Sequence, residues 1–182
     1  MAGQIVLTAS SSGTVTLTPA DTGNTFVSTV PARTGNIAID GPAFSASMSA
    51  TQSLTTGTYT LINFDTKTGG INFDTNSNFS TSTKTFTPTV AGYYQINISY
   101  FVNAGSGQVY LLIYKNGSAS GIGIYFPNNS SAGAIPSVSG LLYLNGSTDY
   151  ISAYIFQSSG GTLTGCGGPG NGQFSASMVR AA

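Results

Sequence analysis

The chain has 182 residues, with five basic and five acidic side chains, no histidine and no tryptophan. Charged residues make up 5% of it, against about 25% in an average soluble domain, so hydroxyl and amide groups must hydrate its surface. The formal net charge is zero, the basic residues form no cluster and no apolar run reaches about 18 residues, which excludes nucleic acid as a partner and a membrane span.

The composition predicts an all-β protein. Strong helix formers are scarce, whereas Thr, Val, Ile, Tyr and Phe are abundant. Glycine or asparagine interrupts the pattern about every 8–12 residues, a spacing that is typical of a β-sandwich or barrel.

Residues 1–41 are interpreted as a separate N-terminal segment. Strands are predicted at 5–8, 14–18, 25–30 and 36–39, and strands this short bury too little apolar area to be stable alone. The segment either decorates the main domain or is an attachment module that trimerises or docks on a larger particle, and we favour attachment. The candidate attachment residues are the apolar side chains of these strands: Ile5, Val6, Leu7, Val15, Leu17, Phe26, Val27 and Ile37.

The same segment carries two short motifs, Thr-Leu-Thr-Pro-Ala at 16–20 and Val-Pro-Ala-Arg-Thr-Gly at 30–35. In this combination it resembles the amino-terminal stretches of many bacteriophage structural proteins. The resemblance implies that residues 1–41 bind a phage capsid or tail protein.

Gly41-Pro42 marks the predicted boundary of a main domain that spans residues 42–182. Its two ends carry the same pentapeptide, Phe-Ser-Ala-Ser-Met, at 44–48 and 174–178. In each copy Phe, Ala and Met alternate with Ser, as in a strand with one buried and one hydrated face. The repetition predicts that the first and last strands of the domain lie side by side in one sheet.

Residues 91–117 contain two apolar runs around a loop at 103–107 and are predicted to form a β-hairpin. The second run is apolar on both faces, with Val109, Leu111 and Ile113 on one side and Tyr110, Leu112 and Tyr114 on the other. An antiparallel strand normally shows water a polar face, so the second face needs cover from another sheet or another subunit. We predict another subunit.

A second apolar pair is predicted at 138–144 and 150–156, after a loop region at 118–136 that contains a short strand at 122–126. The predicted subunit-interface residues are Tyr110, Leu112, Tyr114, Tyr150, Tyr154 and Phe156. The loops at 103–107, 118–136 and 157–172 are candidates for ligand contact. Within them, Tyr125, Phe126 and Asn128 could stack on a sugar and hydrogen-bond to it.

A series of short motifs runs through residues 42–180 in a fixed order. They are Ala43-Phe44-Ser45-Ala46, Ile62-x-Phe64-Asp65, Phe79, Phe86-Thr87-Pro88, Ala91-Gly92-Tyr93-Tyr94, Leu112-x-x-Lys115-Asn116-Gly117, Leu142-x-Leu144, Gly146-x-x-Asp149-x-Ile151 and Phe174-Ser175-Ala176. Together they resemble the globular head of the recognition subunit of the first complement component, which is related to tumour necrosis factor. The resemblance implies a jelly roll of ten short strands in two sheets, assembled as a homotrimer with aromatic residues along the threefold axis.

The sequence offers little for catalysis. Without histidine it cannot build a Ser-His-Asp triad or a Cys-His pair. Asp65 and Asp74, in a duplicated Ile-Asn-Phe-Asp-Thr segment, are the candidate carboxylate pair for glycoside hydrolysis, but we interpret them as turn residues that bind local backbone. The single cysteine, Cys166, excludes an intrachain disulfide, and no motif predicts a metal or a cofactor.

These features predict a non-enzymatic surface protein of a bacteriophage virion, either a capsid decoration protein or a head fibre. In this hypothesis a homotrimer holds the particle through residues 1–41 while the jelly roll projects outward. The N-terminus lacks a signal-peptide pattern, which predicts assembly in the bacterial host cytoplasm. The alternative is the receptor- or glycan-binding tip of a tail fibre that contacts the host surface, and a third is a depolymerase that uses Asp65 and Asp74.

Overall fold

The structure is a computed structural model that describes residues 41–103, 105–127, 133–168 and 170–182, together with the backbone of 5–8 and 14–17. The chain divides into two compact units, Met1–Gly35 and Asn36–Ala182. In the first unit, β1 (Ile5–Thr8) pairs antiparallel with β2 (Thr14–Leu17), where the sequence predicts strands at 5–8 and 14–18.

Other predictions for the N-terminal segment lie outside the described residues. These are the strands at 25–30 and 36–39 and the candidate attachment residues Phe26, Val27 and Ile37. For the remaining candidates in β1 and β2, the structure gives the strand pairing. The boundary after residue 41 and the attachment role stay predictions.

The second unit consists of β-strands, and no helix occurs among the residues that the structure describes. The all-β prediction is therefore confirmed. The strands are β3 (Ala43–Ala46), β4 (Gln52–Leu54), β5 (Thr60–Leu61), β6 (Phe73–Asp74), β7 (Phe79–Ser80), β8 (Thr85–Phe86), β9 (Ala91–Tyr100), β10 (Gln108–Lys115), β11 (Ser118–Pro127), β12 (Ser137–Asn145), β13 (Ile151–Gln157), β14 (Leu163–Gly165) and β15 (Gly172–Ala181).

Two antiparallel sheets pack face to face as a sandwich. The first, called the β9 sheet here, has the order β12-β9-β15-β3-β6, and the second, called the β10 sheet, has the order β11-β10-β13-β8-β7 with β5 also pairing with β13. Alternate residues of β9, among them Ile96 and Ile98, face alternate residues of β10, among them Leu111 and Ile113, in one buried cluster. This alternation places the core between the sheets and leaves each sheet an outer face.

The repeated pentapeptide brings the two ends of the domain together. β3 and β15 pair antiparallel, with Ala176 opposite Phe44 and Phe174 opposite Ala46, so this prediction is confirmed. The expected hydrated serine face is wrong for the first copy, where Ser45 and Ser47 are both buried. The Gln173 amide donates to the Ser45 hydroxyl at 2.7 Å and covers it, and Asn72 does the same for Ser47 at 2.9 Å.

The predicted hairpin over residues 91–117 is wrong. β9 pairs with β12 and β15 in one sheet, while β10 pairs with β11 and β13 in the other, so the connection crosses between the sheets. The crossing is fixed because Val102 forms β-bridges with Ala134 and Gly165 directly after β9. The actual hairpin joins β10 to β11 through Asn116-Gly117. Both residues have positive φ, as a type I′ turn requires, and Asn-Gly is the sequence signal for such a turn.

Candidate interaction surfaces

The predicted interface residues lie together on the outer face of the β10 sheet. Tyr110 lies opposite Tyr125 of β11 and Phe156 of β13, and Leu112 lies opposite Tyr154. Residues that face each other across adjacent strands share one side of a sheet. The Tyr110 ring centroid is accordingly 5.0 Å from that of Tyr125 and 5.7 Å from that of Phe156.

The rings on this face cover one another. Tyr114 stacks on Tyr154 with the centroids 4.0 Å apart and the planes at 22°. Tyr59, just before β5, adds a ring 4.9 Å from Phe156, and sequence analysis missed it. Desolvation, followed by the neighbouring Tyr59 and Tyr154, raises the pKa of the Tyr114 hydroxyl. We call this group, together with Tyr150 on the same side of β13, the aromatic face.

The outer face of the β9 sheet is polar in its centre and apolar at one end. Asn97 lies in a row with Ser139 and Ser175. At the apolar end, the rings of Tyr93 and Tyr143 meet edge to face with their centroids 5.7 Å apart. They are 41% and 42% exposed, and the neighbouring Leu141 is 51% exposed. Sequence analysis missed this apolar end.

Leu141 and Tyr143 belong to β12, which is an edge strand. β12 hydrogen-bonds to β9 on one side and is the last strand of its sheet among the described residues. It runs for nine residues without a charged residue, a proline or a register shift against β9. Edge strands of monomers normally carry such features, because an unprotected edge pairs with other chains.

Two of the three predicted ligand-contact residues lie near the end of β11. Tyr125 is 47% exposed and Phe126 is 36% exposed. Consecutive strand residues point to opposite sides of a sheet, so Tyr125 joins the aromatic face and Phe126, opposite Val109, does not. Asn128 lies outside the described residues.

The two candidate carboxylates are occupied by local contacts. Asp74 accepts hydrogen bonds from the Lys67 ammonium at 2.8 Å and from the backbone amides of Asn78 and Phe79. Asp65 accepts from the amide and the hydroxyl of Ser49 at 2.8 and 2.7 Å. The turn interpretation therefore agrees with the contacts of Asp74, whereas Asp65 binds the backbone of Ser49, 16 residues away along the chain.

The electrostatics of Asp65 do not suit a general acid. Partial burial alone would raise the pKa of its carboxyl, but the hydrogen bonds from Ser49 and Thr66, together with Lys84, hold that pKa below its ordinary value. A glycosidase acid needs a raised pKa instead. Among the described residues, no three His, Cys, Asp or Glu side chains come together in a cluster that could hold a metal ion.

Cys166 is a free thiol that donates to the Asn103 side-chain oxygen at 3.2 Å. In the part of the chain that the structure describes, no helix is long and apolar enough to cross a membrane.

No family model and no curated protein sequence matches this chain. Solved structures do match it. The globular domain of the zebrafish complement 1qA protein is 19% identical, with a TM-score of 0.50 over 79% of this chain and 100% of that one. The Eiger tumour necrosis factor of S. frugiperda is 10% identical, with a TM-score of 0.53 over 79% and 96%. The vertex protein P5 of phage PRD1 is 16% identical, with a TM-score of 0.51 over 78% and 97%.

Structural similarity at sequence identities this low establishes the fold and leaves the function open. Two antiparallel sheets face each other in this domain, and its first and last strands pair. Residues 42–182 therefore have the jelly-roll fold of the complement and tumour-necrosis-factor proteins.

Proposed function

We propose that this protein is a non-enzymatic, homotrimeric surface protein of a bacteriophage virion, either a capsid decoration protein or a head fibre. Residues 1–41 attach to a capsid or tail protein, and the jelly roll projects outward. The observation that carries the proposal is the likeness of the domain to the vertex protein of phage PRD1. The resemblance of residues 1–41 to phage structural proteins supports it independently.

The chemistry of the chain is compatible with a structural role. Asp65 and Asp74, its candidate acids, are each held by several hydrogen bonds, and Asp65 has a lowered pKa. Hydroxyl and amide groups, which keep their hydration over a wide pH range, take the place of charges on the surface.

For the trimer we place the contact at the edge strand β12. Its exposed Leu141 and Tyr143, with Tyr93 beside them, form an apolar surface at the edge of the β9 sheet. Burying such a side chain fully is worth about 1.5–3 kcal/mol, so three per subunit give a substantial interface. Sequence analysis instead predicts contact through the aromatic face, whose rings already shield one another within a single subunit.

A pair of matched variants distinguishes the two surfaces. Leu141→Lys introduces a charge at the β12 edge, and Leu112→Lys introduces the same charge on the aromatic face. We expect Leu141→Lys to yield folded monomers and Leu112→Lys to stay trimeric, as measured by sedimentation velocity. A trimeric Leu141→Lys variant together with a monomeric Leu112→Lys variant would show that the interface lies at the six residues predicted from sequence.

The location is tested on the particle itself. Mass spectrometry of purified phage that encodes the chain should find it in the virion, and electron cryomicroscopy should show whether it sits on the capsid or the tail. A virion made with a chain that lacks residues 1–41 should lose the projecting domain. Absence of the full-length chain from purified particles would overturn the proposal.

A further inference from the structure

A pocket of about 340 Å³ opens on the outer side of the β10 sheet, beside the stacked rings of Tyr114 and Tyr154. Its volume is at the lower end of the range for small-molecule sites. Hydroxyl groups and aromatic rings dominate the lining, and none of the lining residues is charged. The lining residues are Leu61, Thr83, Thr85, Gly117, Tyr150, Ser152 and Tyr154.

Ser152 is the unusual member of this lining. The residue is 3% exposed, yet its hydroxyl is not one of the buried polar atoms without a partner among the described residues, which are Asn72 Oδ1 and the Tyr100 hydroxyl. The small exposed part of Ser152 therefore includes its hydroxyl, and the residue lines the pocket. A ligand hydroxyl seated there can donate to the Ser152 hydroxyl or accept from it.

The two tyrosines beside Ser152 complete a platform. Ser152 and Tyr154 alternate along β13 and so point to the same side of the sheet, and Tyr150, which directly precedes β13, lines the same pocket. Stacking on Tyr114 holds the Tyr154 ring in position, which lowers the entropic cost of ordering it on binding. A rigid aromatic ring beside a hydroxyl offers an apolar surface and a hydrogen-bonding group within one small site.

The charges nearest along the chain are engaged elsewhere. The Lys84 ammonium, between Thr83 and Thr85, donates to the Thr81 carbonyl oxygen. Lys115 pairs with Asp149 at 2.9 Å. Anionic ligands are usually recognised by free arginine or lysine side chains, so this pocket suits an uncharged ligand.

We propose that the pocket binds a neutral sugar unit, with a ring face against Tyr154 and a sugar hydroxyl hydrogen-bonded to Ser152. Tyr125 and Phe126, which sequence analysis names as ligand contacts, are not among the residues that line it. Its use in contacting host glycans rests on the proposed virion function, whereas the binding itself does not.

Saturation-transfer NMR on the full chain tests the proposal directly. The probes are the methyl glycosides of glucose, galactose, mannose and N-acetylglucosamine, with glucuronic acid as the charged comparison. We expect at least one neutral glycoside to bind and glucuronic acid to bind much more weakly. Absence of binding by every neutral glycoside at millimolar concentration, or equal binding of the acid, would overturn the proposal.

Three variants locate the site. Ser152→Ala removes one hydroxyl and should weaken binding about fivefold to tenfold, the worth of a hydrogen bond. Tyr154→Leu should weaken it about tenfold or more, and circular dichroism checks that each variant is folded. Phe73→Leu, at an exposed ring of the β9 sheet, is the control outside the pocket and should leave affinity unchanged; loss of binding in this control with none in Ser152→Ala would contradict the assignment.

The oligomeric mass of the same samples separates this inference from the proposed function. A trimer that binds no neutral glycoside contradicts the pocket assignment alone. A monomer that binds one, and loses affinity on Ser152→Ala, contradicts the proposed assembly alone.

Discussion

Phe44 and Phe174 meet edge to face in the core, with their ring centroids 4.8 Å apart and their planes at 89°. Each residue opens one copy of the repeated pentapeptide, and the strands that carry them, β3 and β15, are hydrogen-bonded neighbours. Phe44 also stacks on Phe79 and Phe86 at 4.7 and 4.5 Å. The two ends of the domain are thus joined by backbone pairing and by one aromatic cluster that reaches both sheets.

Phe174→Ala is expected to destabilise the domain strongly. The residue is fully buried, so the substitution leaves a cavity and should lower the free energy of unfolding by about 3–5 kcal/mol. Phe73→Ala, at a position that is 47% exposed, is the control and should cost less than about 1 kcal/mol. Urea unfolding of both variants measures the difference, and similar losses would contradict the central place of Phe174.

Sequence reasoning succeeded where a pattern had one structural solution. Two copies of Phe-Ser-Ala-Ser-Met alternate with period two, which required strands, and their identity pointed to adjacent positions. The hairpin over 91–117 failed because both apolar runs fit a hairpin equally well as two strands in facing sheets. The turn signal that decides between these, Asn116-Gly117, was not used, because residues 118–136 are predicted as a loop region, whereas β11 begins at Ser118.

Two buried tyrosines should respond in opposite ways to loss of their hydroxyl. The Tyr94 hydroxyl donates to the Val90 carbonyl oxygen at 2.7 Å, so Tyr94→Phe should cost about 1–2 kcal/mol of unfolding free energy. The Tyr100 hydroxyl is buried without a partner among the described residues, so Tyr100→Phe should be neutral or stabilising by up to about 1 kcal/mol. Chemical denaturation decides, and equal losses in the two variants would refute this assignment.

The same residues predict a loss of stability at alkaline pH. Burial raises the pKa of Tyr94 from its ordinary value of 10 to about 12 and raises that of Tyr100 in the same direction. At a pH between these two pKa values, the unfolded chain releases protons that the folded chain keeps. The free energy of unfolding therefore has its full value below pH 10 and falls as the pH rises toward 12.

The decline is measured as the free energy of unfolding at a series of pH values above 9. Each such tyrosine contributes a slope of at most about 1.4 kcal/mol per pH unit. In Tyr94→Phe the slope should be smaller than in the wild type. A flat profile up to pH 12, or an unchanged slope in the variant, would contradict the prediction.

Asp74 is expected to matter more for stability than its ionic partner. Its side chain is 4% exposed, whereas that of Lys67 is 30% exposed, and it also accepts hydrogen bonds from the amides of Asn78 and Phe79. Asp74→Ala leaves two amides without their acceptor and removes the counter-ion of the Lys67 ammonium, which keeps its bond to the Phe79 carbonyl oxygen, and should cost about 3 kcal/mol. Lys67→Met leaves the amide bonds in place and should cost about 1–2 kcal/mol, and a reversed order in urea unfolding would show that the ion pair dominates.

The surfaces were predictable only in part. Strict alternation placed Tyr110, Leu112 and Tyr114 on one face, and the structure finds them there. Alternation says nothing of which strand ends a sheet, so the exposed edge of β12 could not be foreseen. The place of Ser152 in the pocket was equally hidden, because a single serine between Ile151 and Ala153 carries no sequence signal of burial.

The most direct test of the account is the mass of the full-length chain in solution at micromolar concentration, measured by sedimentation equilibrium. The account predicts a stable species of three times the 18.5 kDa chain mass, dissociated by Leu141→Lys. A folded 18.5 kDa monomer that persists at that concentration would contradict it.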